Sequence, residues 1–174
     1  MITLIMAVSK NGVIGNRGEI PWYIPDDFKY FKEQTLGKPI LMGRGTWDSL
    51  PKKPLPNRKN IVLSRSLDIE SDVYVARDIN AAIEFALTTE EYKATNEIMV
   101  IGGEQLYRQT LDMADRALYT YIDSEYDGDA YFPSLDDDCN WSLRSNERHD
   151  YQGLVYEFRC YVRSYVPPCV LDHL

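Results

Sequence analysis

Short apolar runs alternate with stretches of helical spacing along this chain. Residues 2–8 (Ile2, Thr3, Leu4, Ile5, Met6, Ala7, Val8) read as a buried first strand. Residues 9–24 read as a long loop punctuated by Gly12, Gly15, Gly18 and Pro21. Residues 26–35 have helical spacing, with Phe28 and Phe31 one turn apart on a single face. Residues 39–42 form a short buried strand that Gly43 breaks before a helix at 44–50, and Pro51, Pro54 and Pro56 then make an extended loop. Further strands are expected at 60–63 and 73–75. A helix over 79–87 has Asp78 as its cap. Residues 88–96 are polar and read as surface, 97–101 as a strand ending at Gly102-Gly103, 104–110 as a helix and 116–123 as a strand. The last third alternates as an antiparallel hairpin over 141–148 and 154–163. The pattern predicts a single α/β domain. Its central, mostly parallel twisted sheet carries an antiparallel C-terminal edge hairpin, with helices on both faces. Ligands of such sheets sit at the carboxyl ends of the strands, where the breaks after Met42 and Ile101 fall.

A chain of 174 residues suits one domain with a sizeable core, and 44% hydrophobic with 26% charged content is ordinary for a globular protein. No apolar run approaches a membrane span, and the N-terminal run lacks the basic start of a signal peptide. Cys139, Cys160 and Cys169 are too few and too far apart for a disulfide framework or a metal cluster, which fits a reducing cytoplasm. His149 and His173 leave little material for a histidine-based metal site or triad. A net charge of -8 argues against nucleic acid as a partner. Yet Lys38, Arg44, Lys52, Lys53, Arg58, Lys59 and Arg65 share their stretch with a single acid, Asp48. Such a stretch is either a solvated basic surface or a place for a small anion.

The chemistry concentrates at two kinds of position. Asp26 and Asp27 open a helix beside aromatic residues, after the turn bracketed by Pro21 and Pro25. One reading is a capped amphipathic helix with Asp26 as the cap. The other is an apolar pocket with one fixed acidic acceptor for a flat heterocycle bearing paired N–H donors. Gly102-Gly103 between strand and helix makes a phosphate cradle, and Met42-Gly43-Arg44-Gly45-Thr46 repeats the arrangement on another strand. Neither is a Walker loop or a GxGxxG fingerprint. Arg44, Ser64 and Arg65 nearby suit a nucleotide with an extra phosphate monoester.

Taken together, these segments resemble dihydrofolate reductase of the single-chain, chromosomal type. The resemblance is carried by Val13-Ile14-Gly15, Pro21-Trp22, Pro25-Asp26-Asp27-Phe28, residues 42–47, residues 55–60, Leu63-Ser64-Arg65, Val100-Ile101-Gly102-Gly103 and residues 128–133. It covers residues 1–163, leaving 164–174 as a tail that is either a loose terminus or an apolar docking segment. It implies an NADPH-dependent, cytoplasmic, monomeric oxidoreductase that converts dihydrofolate to tetrahydrofolate and so supplies one-carbon carriers for thymidylate and purine synthesis. Asp27 would hold the pterin, supported by Thr120, with Trp22 ordering a water. Ile5, Phe28, Phe31, Leu50 and Ile101 would line the substrate pocket, and Arg58, with Lys53 at the rim, would meet the glutamate carboxylate. Ala7, Ile14, Gly15, Asn16, Gly18 and Ile20 would close over the nicotinamide. Gly43, Gly45, Thr46 and residues Gly102, Gly103, Glu104, Gln105, Leu106 and Tyr107 would hold the diphosphate and its surroundings. Leu63, Ser64, Arg65 and Arg44 would read the 2′-phosphate. The Gly102–Gly103 peptide is cis in this family, and no metal is implied.

The resemblance further implies a water-relayed protonation promoted by Asp27, with activity falling as pH rises past neutrality. Asp129 would steady the mobile loop near Gly15–Gly18. Tyr107 either faces the nicotinamide or packs as core, while Trp47 reads as core. Asp136, Asp137 and Asp138 read as a solvated acidic loop rather than a cation site. Gln105 and Gly45 depart from the larger or basic residues common in relatives, which weakens phosphate contacts and leaves more to Arg44 and Arg65. Two alternatives share the fold: the related reductase of riboflavin synthesis, which should lack the Asp27–Arg58 pair, and a scaffold protein without turnover.

Overall fold

The run from Ile2 to Val8 is buried almost throughout, which suits a strand covered on both faces and places it mid-sheet. In the computed structural model, which describes residues 1–68 and 73–164, this run is β1 (Ile2–Ser9). It lies parallel between β6 (Ile98–Val100) and β7 (Arg116–Ile122). On one side β6 continues to β3 (Pro39–Gly43), β4 (Lys59–Leu63) and β5 (Tyr74–Ala76), all parallel. On the other, β10 (Leu154–Arg163) runs antiparallel to β7, and β9 (Trp141–Tyr151) closes the edge. The sheet order is β5-β4-β3-β6-β1-β7-β10-β9. The expected α/β fold, mostly parallel with an antiparallel C-terminal hairpin, is what forms.

Parallel neighbours require crossovers, and helices supply them. The helices are α1 (Pro25–Thr35), α2 (Arg44–Ser49), α3 (Ile79–Thr88), α4 (Glu90–Thr95) and α5 (Glu104–Thr110). Side chains alternate across each strand, so β1 feeds two cores. Leu4, Met6 and Val8 pack with Ala82 and Ala86 of α3 and Leu106 and Tyr107 of α5. Ile5 packs on the opposite face with Ile40, Met42, Trp47 of α2, Met99, Ile101 and Leu118, covered by Tyr30 and Phe31 of α1. Trp47 is thus core, as its sequence context implied.

Local differences from the sequence reading have identifiable causes. The loop of residues 9–24 contains a strand, β2 (Val13–Gly15), because a distant partner, β8 (Ala130–Tyr131), pairs with it. The polar surface segment of residues 88–96 folds as α4: Thr89 accepts a hydrogen bond from the Tyr92 N–H at its start, and Asn96 ends it in the left-handed conformation at φ 55°. Asp26 is not the cap of α1. Ile24 occupies that position, Pro25 takes the first helical residue, and Asp26 accepts a hydrogen bond from Tyr156 at 3.0 Å instead. Asp26 and Asp27 still complement the helix dipole from the first turn. Asp78 does cap α3, accepting from the Ala81 N–H at 2.9 Å. The suggested docking segment, apart from Ser164, lies outside the described residues.

Candidate functional site

Helix α1 lies over the face of the sheet that carries Ile5, Leu118 and Ile101, packing Tyr30 and Phe31 against that apolar cluster. Asp27 stands in the first turn of α1, and Thr120 of β7 donates a hydrogen bond to it at 2.7 Å. Thr120 is opposite Ala7 of β1 in register, so the pair is held by the centre of the sheet. Burial pushes the Asp27 carboxyl above its ordinary value, and the Thr120 bond opposes this only in part. Ile5, Phe31, Leu50 and Ile101 join one apolar cluster on this face. Phe28 is 47% exposed, its ring 5.7 Å from that of Tyr23.

Trp22 and Arg58 are the next polar groups of the assignment. Trp22 is buried against Tyr126, with ring centroids 5.1 Å apart, yet its indole N–H has no hydrogen-bond partner among the described residues. A buried donor in that state needs a water or a ligand. Arg58 is held by Pro56 O at 3.1 Å and Thr35 Oγ1 at 3.0 Å, and has no ion pair among the described residues. Burial lowers its pKa, as expected for a cation short of counter-charge. Lys53, assigned to the rim with Arg58, donates to Trp47 O and Asp48 O at 3.2 and 3.1 Å and so finishes α2.

The two glycine turns meet at the carboxyl ends of β3 and β6. The Gly43 N–H donates to Gly102 O at 2.7 Å, and the Gly102–Gly103 peptide is cis. Gly102 has φ +115°, and a Cβ there would meet Tyr107 Oη at 3.2 Å and Thr46 Oγ1 at 3.4 Å. No side chain fits that approach. Tyr107 is buried and donates to Ile5 O at 2.6 Å, so it is core and turn support together. Gly103 O accepts from the Leu106 and Tyr107 N–H groups, both at 3.0 Å, while the Glu104 and Gln105 amides precede the first intrahelical acceptor and make the turn a place for anionic oxygens. Leu106 is buried behind it and Gln105 is exposed. A Cβ on Gly45 would meet nothing within 4 Å, so open space adjoins the turn.

Beyond β3 and β4 lies a basic edge. Arg44 pairs with Asp48 at 2.7 Å, Arg65 is exposed beyond Leu63, and Ser64 Oγ accepts from the N–H groups of Ser66 and Leu67. Sequence reasoning missed Arg77. It follows β5, donates to Ser64 O at 3.1 Å and Leu67 O at 3.3 Å, and pairs with Asp68 at 3.1 Å. The available signal was a lone basic residue one place beyond a strand end.

The loop from Asn16 to Ile20 turns tightly. Asn16 and Glu19 exchange backbone hydrogen bonds of 2.8 and 3.0 Å across Arg17 (φ 52°) and Gly18 (φ 81°). Both oxygens of Asp129 accept the Arg17 N–H, at 3.1 and 3.0 Å. Ala7 and Ile14 pack on neighbouring cores, and Ile20 is 49% exposed at the loop's end. Of the acidic run, Asp136 accepts from Arg159 and Tyr161 and Asp138 from Asn140.

The family model described as dihydrofolate reductase matches residues 1–163. A dihydrofolate reductase of Neisseria meningitidis serogroup A is 40% identical over 164 residues, covering 93% of this chain and 98% of that one. That of Buchnera aphidicola subsp. Acyrthosiphon pisum is 48% identical over 132 residues, covering 76% and 78%. Among solved structures, a dihydrofolate reductase from Enterococcus faecalis complexed with NADP(H) and RAB-propyl superposes with TM-score 0.82 at 28% identity, covering 94% of this chain and 96% of that one.

Proposed function

The chain belongs to the dihydrofolate reductase family, and from that premise we propose that it is an NADPH-dependent oxidoreductase that reduces dihydrofolate to tetrahydrofolate in the cleft under α1. The observation that carries the reading is Asp27: a carboxylate in an apolar cleft, fixed by Thr120, with the uncompensated Arg58 on the same chain. A flat pterin with adjacent N–H donors suits the first group, and a carboxylate tail suits the second.

The residues also fit the dinucleotide. Gly102–Gly103 and Gly43 bring backbone and Thr46 Oγ1 to one open turn, while Arg44, Ser64 and Arg65 supply polar groups for a 2′-phosphate beyond it. Arg77 adds a cation at that edge, where Gln105 and Gly45 contribute none.

When bound, the dihydronicotinamide supplies a hydride to a pterin ring carbon. The chain's own groups do the rest. Ile5, Phe31, Leu50 and Ile101 exclude bulk water and set the ring plane. Asp27 accepts the pterin ring N–H and its exocyclic amine, raising the basicity of the ring nitrogen beside the reduced carbon. Trp22 offers its unpartnered N–H to a water, and such a water delivers the proton. The loop from Asn16 to Ile20 covers the nicotinamide side, steadied by Asp129. The product supplies one-carbon carriers for thymidylate and purine synthesis, and the protein acts as a cytoplasmic monomer.

The test is dihydrofolate-dependent loss of NADPH absorbance, in the wild type beside Asp27→Asn. The expected outcome is turnover in the wild type and a loss of roughly a hundredfold or more in kcat/KM in the variant. A wild type that binds NADPH but leaves it unoxidised when dihydrofolate is added would sink the reading.

A further inference from the structure

A glutamate in the first turn of a helix ordinarily stays by the free N–H groups, whose positive end it complements. Glu104 does not. One of its oxygens accepts from Arg108 Nε and Nη2, at 3.1 and 2.7 Å. The other accepts from the backbone N–H of Tyr131, at 3.0 Å. Tyr131 belongs to β8, so a side chain following the Gly102–Gly103 turn is tied to a ribbon distant in sequence.

That ribbon is itself short and closely connected. Tyr131 pairs with Val13, and Ala130 with Gly15. The Phe132 N–H donates to Gly12 O at 2.9 Å and the Asp129 N–H to Gly15 O at 3.1 Å. Two residues before Tyr131, Asp129 holds the Arg17 N–H through both carboxylate oxygens. Arg17 needs such a hold, because a residue with a Cβ is strained at φ 52°. From Glu104 to the tip of the loop there are therefore two hydrogen-bonded steps joined by three residues of one strand segment.

We propose that Glu104 is a positioning residue that couples occupancy of the Gly102–Gly103 turn by the dinucleotide to closure of the Asn16–Ile20 loop, acting through Tyr131 and Asp129. The inference rests on the reductase reading. Anything that shifts the start of α5 moves the Glu104 carboxylate, and with it the backbone of Tyr131, the residue that faces Val13 in the β2–β8 ribbon. The loop that covers the nicotinamide is thus set from the diphosphate end of the same ligand. Glu104 touches no reacting atom in this scheme.

Hydrogen exchange of backbone amides with and without saturating NADPH tests the coupling without using turnover. In the wild type, NADPH should slow exchange in residues 103–110 and in residues 13–20 together. In Glu104→Ala, residues 103–110 should keep that protection while residues 13–20 exchange about tenfold faster than in the liganded wild type. Glu104→Gln, whose amide oxygen still accepts the Tyr131 N–H, should behave as the wild type. Equal protection of residues 13–20 in Glu104→Ala and wild type overturns the inference. So does Glu104→Gln failing as Glu104→Ala does, since charge and not the Tyr131 bond would then matter, or Glu104→Ala losing NADPH binding outright. A wild type in which NADPH protects neither segment overturns the reductase reading, and this inference with it.

Discussion

Asp27 shows how one residue carries chemistry through its surroundings. Among the described residues no cation pairs with it and its side-chain hydrogen bond is from Thr120, while burial is the largest influence on its titration. Folding therefore raises the pKa of the carboxyl. Any stability this group adds is present below the ordinary aspartate value and is lost as pH rises through the raised folded one. Asp27→Asn keeps an acceptor for Thr120 and removes the penalty, so the variant should be more stable than the wild type at neutral pH by up to about 1 kcal/mol, measured by urea unfolding. In the working enzyme the Asp27 carboxylate and the bound pterin take up the proton as a coupled pair, and the pH profile belongs to that pair. The single-turnover rate of hydride transfer should fall about tenfold per pH unit above the elevated apparent pKa, and a flat profile through the neutral and mildly alkaline range would refute this. Trp22 and Arg58 follow the same logic, since each is a polar group left short of partners where a ligand would supply them.

Among elements, the β2–β8 ribbon decides most and was least visible in the sequence. Three residues of β2 inside a glycine-rich loop have no periodicity to read. Their strand character comes from residues 130–131, far along the chain. Gly128 shows how closely the two pieces meet: a Cβ there would stand 2.3 Å from Val13 Cγ1 and 2.7 Å from Gly15 O. Gly128→Ala should cost about 2 kcal/mol of stability by denaturant unfolding and weaken NADPH binding in fluorescence titration, because the ribbon must move to admit the methyl group. Wild-type values for both would show the contact to be slack. The helices were easier. The ranges expected for α3 and α5 match the structure closely because a cap or a glycine break marks each start. Helix α4 was missed as a helix because its six residues are too few to show a period, with only Tyr92 packing on the core, and only Thr89 and Asn96 signal its ends. Asp26 was misjudged as a cap because Tyr156, which engages it, is remote in sequence.

At the scale of the molecule, one buried carboxylate ties together strands that the chain connects only by long crossovers. Glu97 pairs with Lys38 at 2.7 Å and with Arg116, and accepts from Thr3. These residues belong to, or directly precede, β6, β3, β7 and β1. Burial alone would push the Glu97 carboxyl up, but the bonds from Lys38 and Thr3 and the charge of Arg116 outweigh it, and its pKa is lowered. Its contribution is therefore present above the ordinary glutamate value and is lost as pH falls through the depressed one. Glu97→Gln should lose about 2 kcal/mol near neutrality, less than in a fully buried triad because Lys38 and Arg116 partly reach solvent. The gap between variant and wild type should narrow in acid unfolding experiments, and a gap independent of pH would count against the network.

What the sequence by itself determined is local and repetitive: where strands and helices lie, the parallel sheet with its closing hairpin, the glycine turns at strand ends, and the family. Apolar period and turn residues encode these directly, since backbone sterics and burial act over a few neighbours. What only the tertiary structure decided is which polar groups meet. Thr120 reaching Asp27, Tyr156 taking Asp26, Arg77 joining Ser64, Glu104 holding Tyr131 and Asp129 holding Arg17 are all pairings between distant segments. A hydrogen bond depends on distances of a few tenths of an ångström, and those are set by sheet register and helix placement rather than by the identity of either partner.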